Sequence, residues 1–275
     1  MGNLLEIRDL SIQFQHHHSI VRAVEQVHLD IKENEILALA GESGSGKTIT
    51  ALSITRLLPP NAKIVSGKMI FSRPIIGMPA LSGQARDLLT LKPQIIESIR
   101  GKEISYIFQE ATASLNPVLT IGKQIQESIL LHQRVRVKKN ELLNAAVDLL
   151  KLVKLPHAEH ILRSYPHQLS GGMNQRVIIA MALSSCPKLL IADEPTTSLD
   201  VTIGLEIMRM LLELKAKMKF SILFITHNLA LVQEFAQRVA IMFRGRIVEQ
   251  ADTKQIFSSP FHPHTRDLIQ SIIRL

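Results

Sequence analysis

A chain of 275 residues, 46% hydrophobic and 20% charged, can bury one large core or two modest ones, and without low-complexity segments it reads as globular. Its one cysteine, Cys186, excludes an internal disulfide and any cysteine-rich zinc or iron–sulfur site. The formal charge of +8 is compatible with nucleotides, an anionic membrane face or nucleic acid, and does not choose among them.

The N-terminus carries Glu6, Arg8 and Asp9 where a secretory signal needs an apolar core. Glu6 also stands where a myristoylation motif after Gly2 needs Ser or Thr. The longest unbroken apolar stretches, such as Val177 to Leu183, fall far short of the ~18 residues of a membrane span. A cytoplasmic protein is expected. Leu4 to Phe14 alternates apolar and polar residues, which predicts an edge β-region, and Val24, Val27, Leu29 and Ile31 continue the pattern. His16-His17-His18 between them reads as a polar hairpin tip. A metal site there is the weaker reading, because adjacent positions point in different directions.

Glu35 to Ala40 is a short apolar run that predicts a buried strand ending at Gly41. Gly41-Glu42-Ser43-Gly44-Ser45-Gly46-Lys47-Thr48 then fits the phosphate-loop pattern G-x-x-x-x-G-K-[ST] at every fixed position. By average residue usage such an octapeptide arises by chance in roughly one chain of this length in a hundred. Ile49, Leu52, Ile54 and Leu57 continue at helical spacing until Pro59-Pro60. Strand, glycine loop and helix are what phosphate chemistry needs: glycines let the backbone wrap a phosphate, and the helix start offers unpaired N–H groups. Lys47 suits the β/γ-phosphates, and the Thr48 hydroxyl suits Mg²⁺.

Ile64 to Phe71 predicts a strand, Ser72 to Arg100 an irregular connection with a short helix at Ile95 to Ile99, and Ile104 to Phe108 a strand delivering Gln109 and Glu110. Amphipathic helices are predicted at Ile121 to Leu131 and Leu142 to Val153, the second with Leu142, Leu143, Ala146, Leu149, Leu150 and Val153 on one face. Arg134, Arg136, Lys138 and Lys139 between them read as a solvated face, since no aromatic is interleaved. Ser170 caps a predicted helix from about Gly172 to Leu183, leaving glycine-flanked amides for an anion. Cys186, beside Pro187 in an apolar region, reads as a buried inert thiol.

Leu189 to Ala192 is a predicted buried strand ending in Asp193 and Glu194. Asp193 suits Mg²⁺, directly or through water, and Glu194 suits polarisation of an attacking water. Ser198-Leu199-Asp200 precedes a long helix to about Met218. Ser221 to Ile225 is another buried strand, and it delivers His227 to the strand end where doubly wound sheets gather ligands. A hairpin around Arg244-Gly245 and short helices near Thr253 to Phe257 and Thr265 to Ile273 follow.

Taken together these motifs resemble the ATP-binding subunits of ABC transporters over essentially the whole chain. The phosphate loop, Gln109 of the Q-loop, the signature Leu169-Ser170-Gly171-Gly172, Asp193-Glu194, the Ser198-Leu199-Asp200 D-loop and the switch histidine His227 occur in the family's order. Ser114-Leu115-Asn116-Pro117, Tyr165-Pro166-His167-Gln168, Asp193-Glu194-Pro195-Thr196-Thr197 and His262-Pro263-His264-Thr265-Arg266 look most like the oligopeptide, dipeptide and nickel importer group. Leu52 to Pro59 and Phe224 to Leu229 look like the N-terminal cassette of a double-cassette peptide importer.

The resemblance implies an α/β fold with a P-loop NTPase (RecA-like) core. Residues about 1–35 would form an antiparallel β-subdomain, about 36–110 and 169–275 the core, and about 111–168 an inserted helical subdomain. It implies ATP hydrolysis at a head-to-tail cassette pair. Gly41 to Thr48 would bind ATP, His16 would stack on adenine, and Thr48, Gln109 and Asp193 would serve Mg²⁺. Glu194 would be the catalytic carboxylate, with Gln109 and His227 beside the reacting phosphate. Ser170, Gly171 and Gly172 would cap the partner's ATP, and Asp200 would couple the two sites. The implied partners are two permease subunits or domains, a second cassette and, indirectly, an extracytoplasmic solute-binding protein, with the chain peripheral on the cytoplasmic face of the inner membrane. Nucleic acid is not expected.

Three departures accompany the likeness. Met173 replaces the signature's glutamine, as is usual in this importer group; His16 replaces the usual aromatic; and the cysteines of the group's iron–sulfur tail do not occur before Leu275. Two other functions compete: a soluble ABC ATPase acting on nucleic acid or ribosomes, and a degenerate cassette that binds ATP without splitting it. Against the first, residues 49–168 leave no room for a long coiled coil; against the second stand Glu194 and His227.

Overall fold

The computed structural model describes residues 2–15, 19–72, 85–109, 114–131 and 138–273. In chain order the strands are β1 (Asn3–Gln15), β2 (Ile20–Lys32), β3 (Ile36–Ala40), β4 (Ala62–Phe71), β5 (Arg86–Asp87), β6 (Ile104–Ile107), β7 (Leu189–Asp193), β8 (Ser221–Thr226), β9 (Arg238–Phe243) and β10 (Arg246–Asp252). The helices are α1 (Lys47–Ile54), α2 (Pro93–Ile99), α3 (Ile121–Leu131), α4 (Lys139–Leu152), α5 (Ala158–Arg163), α6 (Gly171–Leu183), α7 (Val201–Met218), α8 (Leu229–Phe235), α9 (Thr253–Ser258) and α10 (Pro263–Ile273). They fall into two compact units, Met1–Arg100 with Ser221–Leu275, and Gly101–Phe220.

In the first unit β1 lies between β2 and β4, both antiparallel to it. The expected edge position for this stretch is therefore corrected. Alternation reports that one face is buried, not how many neighbours a strand has. The inward positions switch from Leu5 and Ile7 to Leu10 and Ile12 across a bulge at Asp9 (φ 50°). There the Gln26 amide donates to Ser11 Oγ at 3.1 Å. The short β5 pairs antiparallel with β4, while β3, β8 and β9 are parallel, with β10 returning antiparallel along β9. Every residue of β3 and β8 is buried, which is why both read as unbroken apolar runs. The β9–β10 turn uses positive φ at Arg244 (47°) and Gly245 (81°), as a tight hairpin requires.

Arg238, at the start of β9, ties this unit together. Its guanidinium, with the side chain 14% exposed, donates to Asp30 Oδ1 and Oδ2 at 3.0 Å and to Glu35 Oε1 at 3.2 Å. Burial works to raise the Asp30 pKa, but the bond and charge of Arg238 outweigh it and hold the carboxyl below its usual range. Its contribution to stability is therefore present above the ordinary carboxyl range and lost as pH falls through the depressed value. Arg238→Met should cost about 3 kcal/mol, because it strands the nearly buried Glu35 carboxylate without its partner. Urea unfolding of the two proteins at neutral pH measures this, and a loss under about 1 kcal/mol would show the pair to be dispensable.

The second unit pairs β6 and β7 in parallel, with Tyr106 opposite Ile191. Ile121, Ile125 and Ile129 line the inner face of α3, and Leu142, Ala146 and Leu150 that of α4. The α4 face is narrower than expected: Leu143 is 45% exposed and Leu149 half-buried. Positions 143 and 149 flank the i, i+4, i+8 row that makes contact. Residues 158–163 and 166–168 add a helix and a 3₁₀ turn that no periodicity announced. Cys186 is exposed, which corrects the expectation of a buried thiol. Its N–H closes the end of α6 on the Leu183 carbonyl at 3.0 Å, and its left-handed φ of 53° turns the side chain outward while Pro187 is buried. Among the described residues no helix is long and apolar enough to cross a membrane.

Candidate functional site

In the first unit, β3 ends at Ala40 and the chain turns through Gly41 to Gly46 into α1. Two glycines are required by contact. A Cβ on Gly41 would lie 2.1 Å from the Met242 carbonyl oxygen, and one on Gly46 (φ 108°) would lie 2.6 Å from the Ala23 carbonyl oxygen. The loop is thereby seated on β2 and β9. A Cβ on Gly44 would meet nothing within 4 Å, so this turn of the loop faces open space. Lys47 is 5% exposed, and its ammonium donates to the carbonyls of Gly41 and Glu42, each at 2.8 Å. The loop therefore wraps its own cation, which a buried charge demands. Gly46 caps α1 without a side-chain acceptor, and no acid occupies the first turn. Those amides, a positive helix end and an open-facing loop fit a phosphate chain.

His227 is exposed directly after β8. The parallel register pairs Ala40 with Thr226, so Gly41 and His227 each follow a paired position at the same end of the sheet. Asn228 then caps α8, accepting the amides of Ala230 and Leu231 at 3.0 and 3.4 Å.

The second unit holds the acids. Asp193, 2% exposed, ends β7, and its Oδ2 accepts the Tyr106 hydroxyl at 2.7 Å. Burial and the Asp193 charge raise the Tyr106 phenol above the ordinary tyrosine range, so it remains a donor. Glu194 follows in a left-handed conformation (φ 46°) that few non-glycine residues adopt. Its Oε2 accepts Thr197 Oγ1 at 2.8 Å and Gln109 Nε2 at 3.1 Å. Gln109 and Glu194, 85 residues apart in sequence, are thus brought together. Tyr106 and Thr197 join them without having been assigned site roles. Signals existed: Tyr106 is a polar aromatic in a core strand, and Thr197 stands three residues after Glu194, within reach of a turn.

Ser170 caps α6 as expected, its Oγ accepting the Met173 amide at 3.3 Å. Ser170 and Gly171 are exposed and Gly172 is buried, and no acid lies in the first turn. Asn174 Nδ2 anchors the helix start by donating to the Pro166 carbonyl at 3.0 Å. Asp200 precedes α7 and is exposed, without a side-chain bond capping that helix. His16, Glu110, Arg134 and Arg136 lie outside the described residues.

A family model described as ABC transporter matches residues 24–197, which spans the phosphate loop, the signature and both acids. The chain belongs to the ABC transporter ATP-binding family. A probable peptide ABC transporter ATP-binding protein of Sinorhizobium fredii is 46% identical over 270 residues, covering 98% of this chain and 76% of that protein. The oligopeptide transport ATP-binding protein OppD of Bacillus subtilis is 43% identical over 270 residues, with 98% and 72% covered. The glutathione import ATP-binding protein GsiA of Pectobacterium atrosepticum is 43% identical over 272 residues, but this chain spans 42% of its length. Among solved structures, the dimeric cassette MJ0796 in a post-hydrolysis state bound to ADP and phosphate matches with a TM-score of 0.77 and 26% identity, covering 90% of this chain and 98% of that one. This ABC chain is an ATP-binding ATPase cassette with an α/β P-loop NTPase fold.

Proposed function

We propose that this cassette hydrolyses ATP to drive uptake of peptides, or a related small solute, through partner permeases. The observation that carries the chemistry is the Glu194 carboxylate, half-buried and oriented by Thr197 and Gln109 at the end of β7. A carboxylate fixed by two donors is a positioned base, and in-line attack on a phosphate is catalysed mainly by positioning and charge stabilisation. In this reading Glu194 takes up the proton of the attacking water while Gln109 orients that water. The loop amides and Lys47 hold the β/γ-phosphates, and His227 contacts the γ-phosphate. The Thr48 hydroxyl, the Gln109 amide and the Asp193 carboxylate are hard oxygen donors of the kind Mg²⁺ takes, and they would hold it. When bound, Mg²⁺ supplies charge neutralisation to the phosphates.

Ser170, Gly171 and Gly172 would close on ATP held by a second cassette, and exposed Asp200 would link the two sites. His16 would stack on adenine. The names of the relatives support peptides as cargo: one is a probable peptide transporter component and another an oligopeptide one. The working assembly would add two permease subunits or domains and, indirectly, an extracytoplasmic solute-binding protein. The chain would sit on the cytoplasmic face of the inner membrane.

The test is purification of tagged Glu194→Gln protein from native membranes with ATP present. Co-purifying polytopic membrane proteins and a second cassette are expected. Ribosomes or nucleic acid recovered with no permease would overturn the reading.

A further inference from the structure

Tyr106 lies on the middle of β6, opposite Ile191 on β7, and its side chain reaches two residues further along the neighbouring strand to Asp193. Its ring also stacks on Phe108, with centroids 4.5 Å apart and planes at 29°. The hydroxyl donates to Asp193 Oδ2 at 2.7 Å, while three residues past Tyr106 the same segment sends Gln109 to Glu194. The first bond joins the strands β6 and β7, and the second joins the residues just past their ends. The bond to Asp193 is part-buried and its acceptor nearly inaccessible; the bond to Glu194 is exposed. The inner bond is the one shielded from competition by water.

The geometry points to Tyr106 as a positioning residue of the hydrolytic site: its hydroxyl fixes the orientation of the Asp193 carboxylate and so sets how tightly the nucleotide-bound site takes a divalent cation. This rests on the assignment of Asp193 to Mg²⁺ made above. A buried donor on one oxygen restrains rotation of the carboxylate about χ2. Without that donor the restraint is weaker, and more of the ordering falls to the cation at binding. The outer bond plays a different part, since Gln109 touches Glu194 and not Asp193 in this arrangement.

The experiment measures Mn²⁺ affinity of the ATP-bound full chain by electron paramagnetic resonance, with Glu194→Gln as parent to prevent turnover. Tyr106→Phe keeps the ring and removes the hydroxyl. It should leave ATP affinity in EDTA unchanged while weakening Mn²⁺ about tenfold, as loss of an outer hydrogen-bonding partner does at metal sites. An Asp193→Asn control separates the two claims. If Asp193→Asn weakens Mn²⁺ and Tyr106→Phe does not, the positioning role is wrong and the metal assignment stands. If neither substitution weakens Mn²⁺, the metal assignment fails and the inference falls with it. A hydroxyl with a structural role alone would lower thermal stability and leave Mn²⁺ affinity untouched. Should Tyr106→Phe not fold, tyrosine emission decides. The chain has two tyrosines and no tryptophan, so Tyr165→Phe leaves Tyr106 as the reporter. Addition of Mg²⁺ to the ATP-bound protein should then change that emission, and an unchanged spectrum would overturn the inference.

Discussion

Glu194→Gln should lower ATP turnover by about 10²- to 10⁴-fold while ATP still binds. The substitution is nearly isosteric, and the new side chain's amide oxygen can still accept from Thr197 and Gln109, as Glu194 Oε2 does. What is lost is the negative charge that draws a proton from water. At 1.36 kcal/mol per decade the drop corresponds to about 3–5 kcal/mol of barrier, within the range of a single positioned base. The measurement is phosphate release under saturating ATP, beside equilibrium binding of labelled ATP. The degenerate-cassette reading predicts unchanged turnover, so a clear fall removes it. A fall in turnover accompanied by lost ATP binding would instead place Glu194 in the binding machinery.

Gly46→Ala should be severely damaging to the phosphate loop. The new Cβ would meet the Ala23 carbonyl oxygen at 2.6 Å and Met242 Cε at 2.8 Å, at a φ of 108° that L residues avoid. The methionine end can move, but the backbone carbonyl of β2 cannot. Such strain costs about 1–3 kcal/mol before the clash is counted. Relieving it shifts the amide of Lys47, on which the loop's grip on phosphate rests. ATP affinity should fall at least about 30-fold, roughly 2 kcal/mol, with a melting temperature several degrees lower. Gly44→Ala is the control. Its φ is also positive (78°), yet no atom lies within 4 Å of the added Cβ, so about 1 kcal/mol of backbone cost is all it carries. Equal damage from the two substitutions would mean that backbone contact with β2 does not hold the loop.

Much of this was legible in the chain because the informative features are local. The phosphate loop, the cap at Ser170 and the apolar runs of β3, β7 and β8 are each written within about ten residues, and these particular elements lie where their local patterns place them. What was not legible depends on distant partners. Alternation in residues 4–14 could not say that β4 would cover the second side of β1. Tyr106 gained its role from Asp193, 87 residues away, through strand pairing that no local pattern encodes. The apolar neighbours of Cys186 point to burial, whereas a single left-handed φ turns the thiol outward. Leu143 belongs to an apolar helix face by periodicity and still meets solvent, since α4 buries only the centre of that face.

The central claim, that ATP hydrolysis by this cassette drives peptide import, is tested most directly by uptake of a labelled oligopeptide into cells whose only copy of the chain carries Glu194→Gln. The account predicts that uptake stops while the variant remains at the membrane at wild-type level. Uptake continuing at the wild-type rate would contradict it.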